Sequence, residues 1–115
     1  MGKKLKIGIV GGGAICRNHI QGLRNAGAEI VSVCDVAPAA LARIQAEFNV
    51  PETVTDYGKM VADPRLDAIV VCTPNYLHKD MAIAALNGGK HVLVEKPMAL
   101  DPTQAEAMVA AATAA

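Results

Sequence analysis

The chain has 115 residues, which suits one domain and is too short for two ordinary ones. Apolar residues make up 52% and charged residues 19%, enough for a packed core and not the composition of a disordered chain; with aromatics at 3% and no Trp, that core must be aliphatic. Eleven basic and eleven acidic residues cancel, which argues against nucleic acid as the main partner, and no apolar run approaches the roughly 18 residues of a membrane span.

From the N-terminus, the basic start Met1-Gly2-Lys3-Lys4 leads into a short apolar run, Leu5 to Val10, which reads as a buried strand and not as a signal peptide. Ala14 to Asn25 then has helical spacing, with Ile15, His19, Ile20 and Leu23 on one face and Gly27 as its stop. Glu29 to Cys34 is a second strand. Pro38 opens a second helix whose inner stripe is Leu41, Ile44 and Phe48. A third short strand is expected near Val54, and a short helix over 57–62. Asp67 to Cys72 is the strongest strand pattern. Residues 76–87 are helical, with Leu77, Met81 and Ala84 or Ala85 facing inward, and Gly88-Gly89 ends them. His91 to Val94 is a further strand. Asp101-Pro102-Thr103-Gln104 carries the capping signals of a last helix.

Strands alternating with helices, the strands continuously apolar, specify an α/β fold with a parallel sheet covered on both faces. Right-handed crossovers then favour a Rossmann-like doubly wound sheet of order 3-2-1-4-5 that stops before a sixth strand. Residues 1–115 are read as a single dinucleotide-binding domain. Cys16, Cys34 and Cys72 lack metal-like spacing and read as buried, reduced thiols of a cytoplasmic protein.

Gly11-Gly12-Gly13-Ala14-Ile15-Cys16 fits the pattern G-x-G-x-x-(small). Gly11 permits a tight turn, Gly13 a close approach of pyrophosphate to backbone, and the third small position, here Cys16, close packing of helix on strand. The backbone of Gly11, Gly13, Ala14 and Ile15 is therefore assigned to the cofactor's phosphates, where the helix end offers free N–H groups and positive charge. Such a loop alone is also an ordinary turn. Its context is more telling, because it follows the first strand, opens a helix and stands 22 residues before Asp35 at the end of the second strand. A carboxylate there accepts bonds from the adenosine ribose and repels a 2′-phosphate, so NAD is expected over NADP. The alternative for Asp35 is a strand-end acid starting the next turn, and both roles are compatible.

Ligands of open α/β sheets lie beyond the carboxyl ends of the strands. Two segments fall there: Thr73-Pro74-Asn75-Tyr76-Leu77-His78 and Glu95-Lys96-Pro97. With them the sequence resembles the N-terminal domain of the glucose–fructose oxidoreductase, inositol dehydrogenase and MocA family. The likeness is carried by GIVGGGAICRNH (residues 8–19), CTPNYLH (72–78) and above all GKHVLVEKPMAL (89–100). The resemblance implies that Thr73, Pro74 and Asn75 wall the cofactor near its nicotinamide ribose and linking phosphates, and that His78 stands towards the same end. It places Glu95 and Lys96 at the nicotinamide, with Lys96 as the catalytic residue that hydrogen-bonds the reacting hydroxyl. A turn and helix start is an equal account of Thr73, Pro74 and Asn75, and a polar structural role is the plainer account of His78.

Family members carry a second domain that completes the substrate site. The expectation is thus of a piece of an oxidoreductase that moves hydride between nicotinamide and a sugar- or polyol-type hydroxyl, the piece itself binding cofactor without turnover. The small-molecule substrate belongs to the full-length protein. A noncatalytic NAD-binding sensor or scaffold, and an NAD-dependent glycoside hydrolase, remain as alternatives. A methyltransferase is disfavoured by the E-K-P and T-P-N segments. With no sixth strand, His91 to Val94 is also expected to be an exposed edge that pairs with a second copy.

Overall fold

A computed structural model of the protein describes residues 4–73 and 77–94. Nine elements alternate along them: β1 (Lys6–Val10), α1 (Ala14–Asn25), β2 (Glu29–Cys34), α2 (Pro38–Phe48), β3 (Glu52–Val54), α3 (Tyr57–Val61), β4 (Ala68–Val71), α4 (His78–Asn87) and β5 (His91–Val94). All strand pairings are parallel and their order is β3-β2-β1-β4-β5, as the sequence pattern predicts. The expected last helix from Asp101 lies outside the described residues.

The continuous apolar runs of β1, β2 and β4 arise because both faces of the sheet are covered. Alternate residues point to opposite layers. Ile7, Ile9, Ala68 and Val70 pack with Cys16 and Ile20 of α1 and with Leu41 and Ile44 of α2. Val10, Ile69 and Val71 pack with Met60 of α3 and Ala85 of α4. Helix ends follow local chemistry. Pro38 occupies the first turn of α2, Asn49 closes it in the left-handed region, and Asp56 caps α3 by accepting from the Gly58 N–H at 2.9 Å.

Two helices follow their expected inward lines only in part, keeping Ile20 and Leu23 of α1 and Ala85 of α4. In α1, Ile15 is 45% exposed, and Cys16 and Ile20 are the buried pair with Leu23 beside them. In α4 the buried line is His78, Ala82 and Ala85. Leu77 and Met81 are left half-buried and face the carboxyl ends of the strands. Cys16 of α1 and Ala82 and Ala85 of α4 are small and buried, which lets those turns lie close to the strands, while Ile20 and His78 fill the wider parts of the same lines. Among the described strands β5 forms one edge of the sheet and β3 the other, and Leu93 of β5 is 49% exposed. Among the described residues, no helix is long and apolar enough to cross a membrane.

Candidate functional site

The βα junctions at the carboxyl ends of β1, β2 and β4 meet around one cleft of about 440 Å³. The glycine loop is wedged between the flanking strands. Gly11 donates its N–H to the Cys34 carbonyl at 2.7 Å and takes φ +103°. A Cβ on Gly11 would stand 2.7 Å from the Cys72 carbonyl carbon, so only glycine fits between the ends of β2 and β4. Gly12 is buried and gives its N–H to Asp35 Oδ2 at 2.7 Å. Gly13 is exposed, and a Cβ there would meet nothing within 4 Å. It caps α1 without a side-chain bond, and the first turn of α1 has no acidic residue.

This cradle fits a dinucleotide's phosphates. Bare backbone lies open at Gly13, the uncapped helix end presents positive charge, and no carboxylate of that turn competes with an anion. Asp35 is half-buried at the mouth of the loop, and its second oxygen accepts from the Ala37 N–H at 2.8 Å. The carboxylate thus performs the turn-starting role, and each oxygen keeps a further lone pair for a ribose hydroxyl. Val36 beside it is 87% exposed and carries no charge that would welcome an extra phosphate.

The opposite wall comes from the far side of β1. Thr73 lines the cleft and its hydroxyl donates to Met81 Sδ at 3.3 Å. Tyr57 reaches across from α3, its hydroxyl donating to the Met81 carbonyl at 2.7 Å. Burial, and then the Cys34 thiol, push the Tyr57 hydroxyl well above the ordinary phenol range, so it stays protonated as a donor. His78 is 1% exposed and bonds the Thr73 carbonyl through Nε2 at 2.6 Å. The imidazole is not among the groups that line the cleft.

Cys16 and Cys34 are free and buried, and Cys72 is partly buried. Burial, then the Asp35 charge, push the Cys16 thiol up to about 12. Burial, then Asp35 and Asp56, push Cys34 up to about 11. Neither is a nucleophile at neutral pH; both are packing residues. A second groove of about 450 Å³, between α2 and the β3–α3 junction, has no share in the glycine loop.

Of the residues expected at the site, Gly11, Gly13, Asp35 and Thr73 converge on the cleft. Ala14 begins α1 and Ile15 follows in its first turn, whereas His78 does not line the cleft and bonds the carbonyl of Thr73, which does. Pro74, Asn75, Glu95 and Lys96 lie outside the described residues. Sequence reasoning missed Gly12, Tyr57 and Met81. For Tyr57 a signal was available, since it opens the helix three residues past the end of β3, and every strand end of a parallel sheet opens towards the same edge.

The family model described as "Oxidoreductase family, NAD-binding Rossmann fold", that of the Gfo/Idh/MocA proteins, matches residues 5–115. The chain belongs to this family. It is 37% identical over 106 residues to a 4-carboxy-2-hydroxymuconate-6-semialdehyde dehydrogenase of Sphingobium, covering 91% of this chain and 34% of the relative. To an inositol 2-dehydrogenase of Salmonella typhimurium it is 35% identical over 113 residues, covering 93% and 33%. The crystal structure of scyllo-inositol dehydrogenase from Lactobacillus casei, with bound NAD(H) and scyllo-inositol, superposes with a TM-score of 0.88 at 32% identity, over 97% of this chain and 34% of that one. The chain therefore spans about a third of the length of the relatives it matches. As a Gfo/Idh/MocA domain it is an NAD-binding Rossmann unit, and its cleft coincides with the carboxyl-end crevice where that fold holds its ligand.

Proposed function

We propose that residues 1–115 form the cofactor domain of an NAD-preferring oxidoreductase of the cytoplasm, acting on a sugar- or polyol-type hydroxyl. The observation that carries this reading is the Gly12 N–H on Asp35 Oδ2 at 2.7 Å, which sets an acid at the mouth of a phosphate-sized glycine cradle. Asp35 would take the adenosine ribose, and the backbone from Gly11 to Ile15 the phosphates. Thr73, with Pro74 and Asn75, would flank the second nucleoside. When bound, nicotinamide supplies the hydride acceptor or donor. Lys96, beside Glu95 in the E-K-P motif, is assigned by sequence to hydrogen-bond the hydroxyl and steady charge on its oxygen.

The substrate-recognising half is expected from chain beyond this length, in keeping with relatives about three times as long. Titration with NADH and then NADPH, followed by nicotinamide fluorescence against a protein free of Trp, tests the reading. Saturable binding with NADH preferred is expected. Equal binding of the two removes Asp35 as discriminator, and binding of neither removes the site. Pairing of two copies along β5 rests on the exposed Leu93. Light scattering that shows a monomer at high concentration ends that part.

A further inference from the structure

We propose that His78 is a positioning residue for the nicotinamide half of the bound dinucleotide, acting through the Thr73 carbonyl. His78 opens α4, yet it is 1% exposed and shares the buried line with Ala82 and Ala85. Packing on that line asks only for a small or apolar side chain, as its neighbours show. An imidazole buried there must be hydrogen-bonded. Its Nε2 is 2.6 Å from the Thr73 carbonyl oxygen. A carbonyl only accepts, so Nε2 carries the proton.

Thr73 is thereby held twice. His78 fixes its backbone, and Met81, one turn along α4, takes its hydroxyl on Sδ at 3.3 Å. Met81 is itself anchored, its carbonyl accepting from the Tyr57 hydroxyl at 2.7 Å. The side of the cleft so fixed follows from the topology. Asp35 ends β2 on one flank of β1, and Thr73 follows β4 on the other. A ligand with its adenosine ribose on Asp35 and its phosphates on the glycine loop carries its second nucleoside towards β4. AMP reaches only the first flank and the loop, whereas NADH also meets the Thr73 wall. This inference rests on the function proposed above.

The test is titration of the full chain with NADH and with AMP, in wild type, His78→Leu and His78→Gln. His78→Leu is expected to weaken NADH about tenfold, one hydrogen bond's worth, and AMP by less than about twofold. His78→Gln, whose amide nitrogen stands as many bonds from Cα as Nε2, is expected to keep NADH within about threefold of wild type. Equal losses of both ligands in His78→Leu, or an NADH affinity left unchanged, would overturn the proposal. Nitrogen-15 spectra of the wild-type imidazole decide the matter even where a variant does not fold. The Nε2–H tautomer is expected, and the Nδ1–H tautomer overturns the proposal. Wild type that binds neither ligand takes the proposed function down as well. Wild type that binds both, with equal losses in His78→Leu, leaves that function standing and removes only the role of His78.

Discussion

Replacing Asp35 separates the two tasks that one carboxylate performs. Its Oδ2 accepts from the buried Gly12 N–H at 2.7 Å and its Oδ1 from the exposed Ala37 N–H at 2.8 Å. Asparagine offers one acceptor and one donor, so one of those N–H groups must face a donor. The amide settles with its oxygen on Gly12, because water can serve Ala37 and cannot serve Gly12. Hydrogen bonds to a charged group contribute about 1.5–3 kcal/mol and neutral ones about 1 kcal/mol. Asp35→Asn should therefore destabilise by about 1–2 kcal/mol, and Asp35→Ala, which abandons both N–H groups, by about 3 kcal/mol. In a domain of this size each kcal/mol lowers the melting temperature by about 4–8 °C, giving roughly 5–15 °C for Asn and 15 °C or more for Ala. Melts followed by circular dichroism read this directly. Paired NADH and NADPH titrations read the second task, with the ratio of affinities expected to move about tenfold towards NADPH as the negative charge is lost. Asp35→Ala melting within about 3 °C of wild type would refute the anchoring argument. An unmoved ratio would refute the selectivity argument and leave the anchor intact.

The two outer glycines of the loop should behave oppositely. Gly11→Ala drives a Cβ to 2.7 Å from the Cys72 backbone at φ +103°, and strain plus overpacking sum to about 3 kcal/mol or more, seen as loss of soluble folded protein. Gly13→Ala meets nothing within 4 Å, so stability should change by less than about 1 kcal/mol while NADH binding weakens about tenfold; a melt lowered as far as that of Gly11→Ala would contradict this. Tyr57→Phe removes the bond to the Met81 carbonyl and should lower stability by about 1 kcal/mol in urea titration, and no change would mean the hydroxyl is not donating there. Cys16 and Cys34 are held protonated in the fold, up to about 12 and about 11, against 9.0 for a free thiol. Unfolding then releases protons above pH 9.0, so their contribution is complete below that pH and is lost as pH rises through the folded values. The urea midpoint should fall from about pH 9 upward, and less steeply in Cys16→Ala; rapid modification of Cys16 by a disulfide reagent in folded protein at about pH 8 would count against it.

How much of this was legible in sequence depended on how local the determinant was. The bounds Ala14–Asn25, Glu29–Cys34 and His91–Val94 and the helix start at Pro38 match expectation because Gly13, Pro38, Gly27 and Gly89 punctuate the chain. The sheet order is equally readable, since parallel strands joined by helices allow few arrangements. The glycine loop and Asp35 were legible from their spacing together with the strands and helix that flank them. The facing of α1 and α4 was legible in part: Ile20, Leu23 and Ala85 face inward as expected, whereas Cys16 and Ala82 hold buried places that hydrophobicity would give to Ile15 and Met81. Tyr57 and Met81 escaped notice for a different reason. They come from separate elements, and only the crossover brings a hydroxyl of α3 onto a carbonyl of α4.

The same geometry explains why the site and the fold resist independent change. The loop that would hold phosphate is fixed by Gly11 on the Cys34 carbonyl and by Gly12 on Asp35, so its position is set by the strand that also supplies the selective acid. A domain with selectivity and scaffold on different residues could exchange NAD for NADP by one substitution at the acid. Here that substitution also loosens the loop, so affinity for both cofactors would fall while their ratio shifts. A replacement at position 35 that returns an uncharged acceptor to the Gly12 N–H therefore separates the two tasks. Asp35→Ser is the natural trial: its hydroxyl can accept, it carries no charge, and it starts turns well. If Asp35→Ser recovers most of the melting temperature lost in Asp35→Ala yet keeps the shifted NADPH ratio, the two tasks are separable. If stability and ratio return together, the carboxylate's charge serves the loop as much as the ribose, and selectivity in this domain is a property of the loop's position.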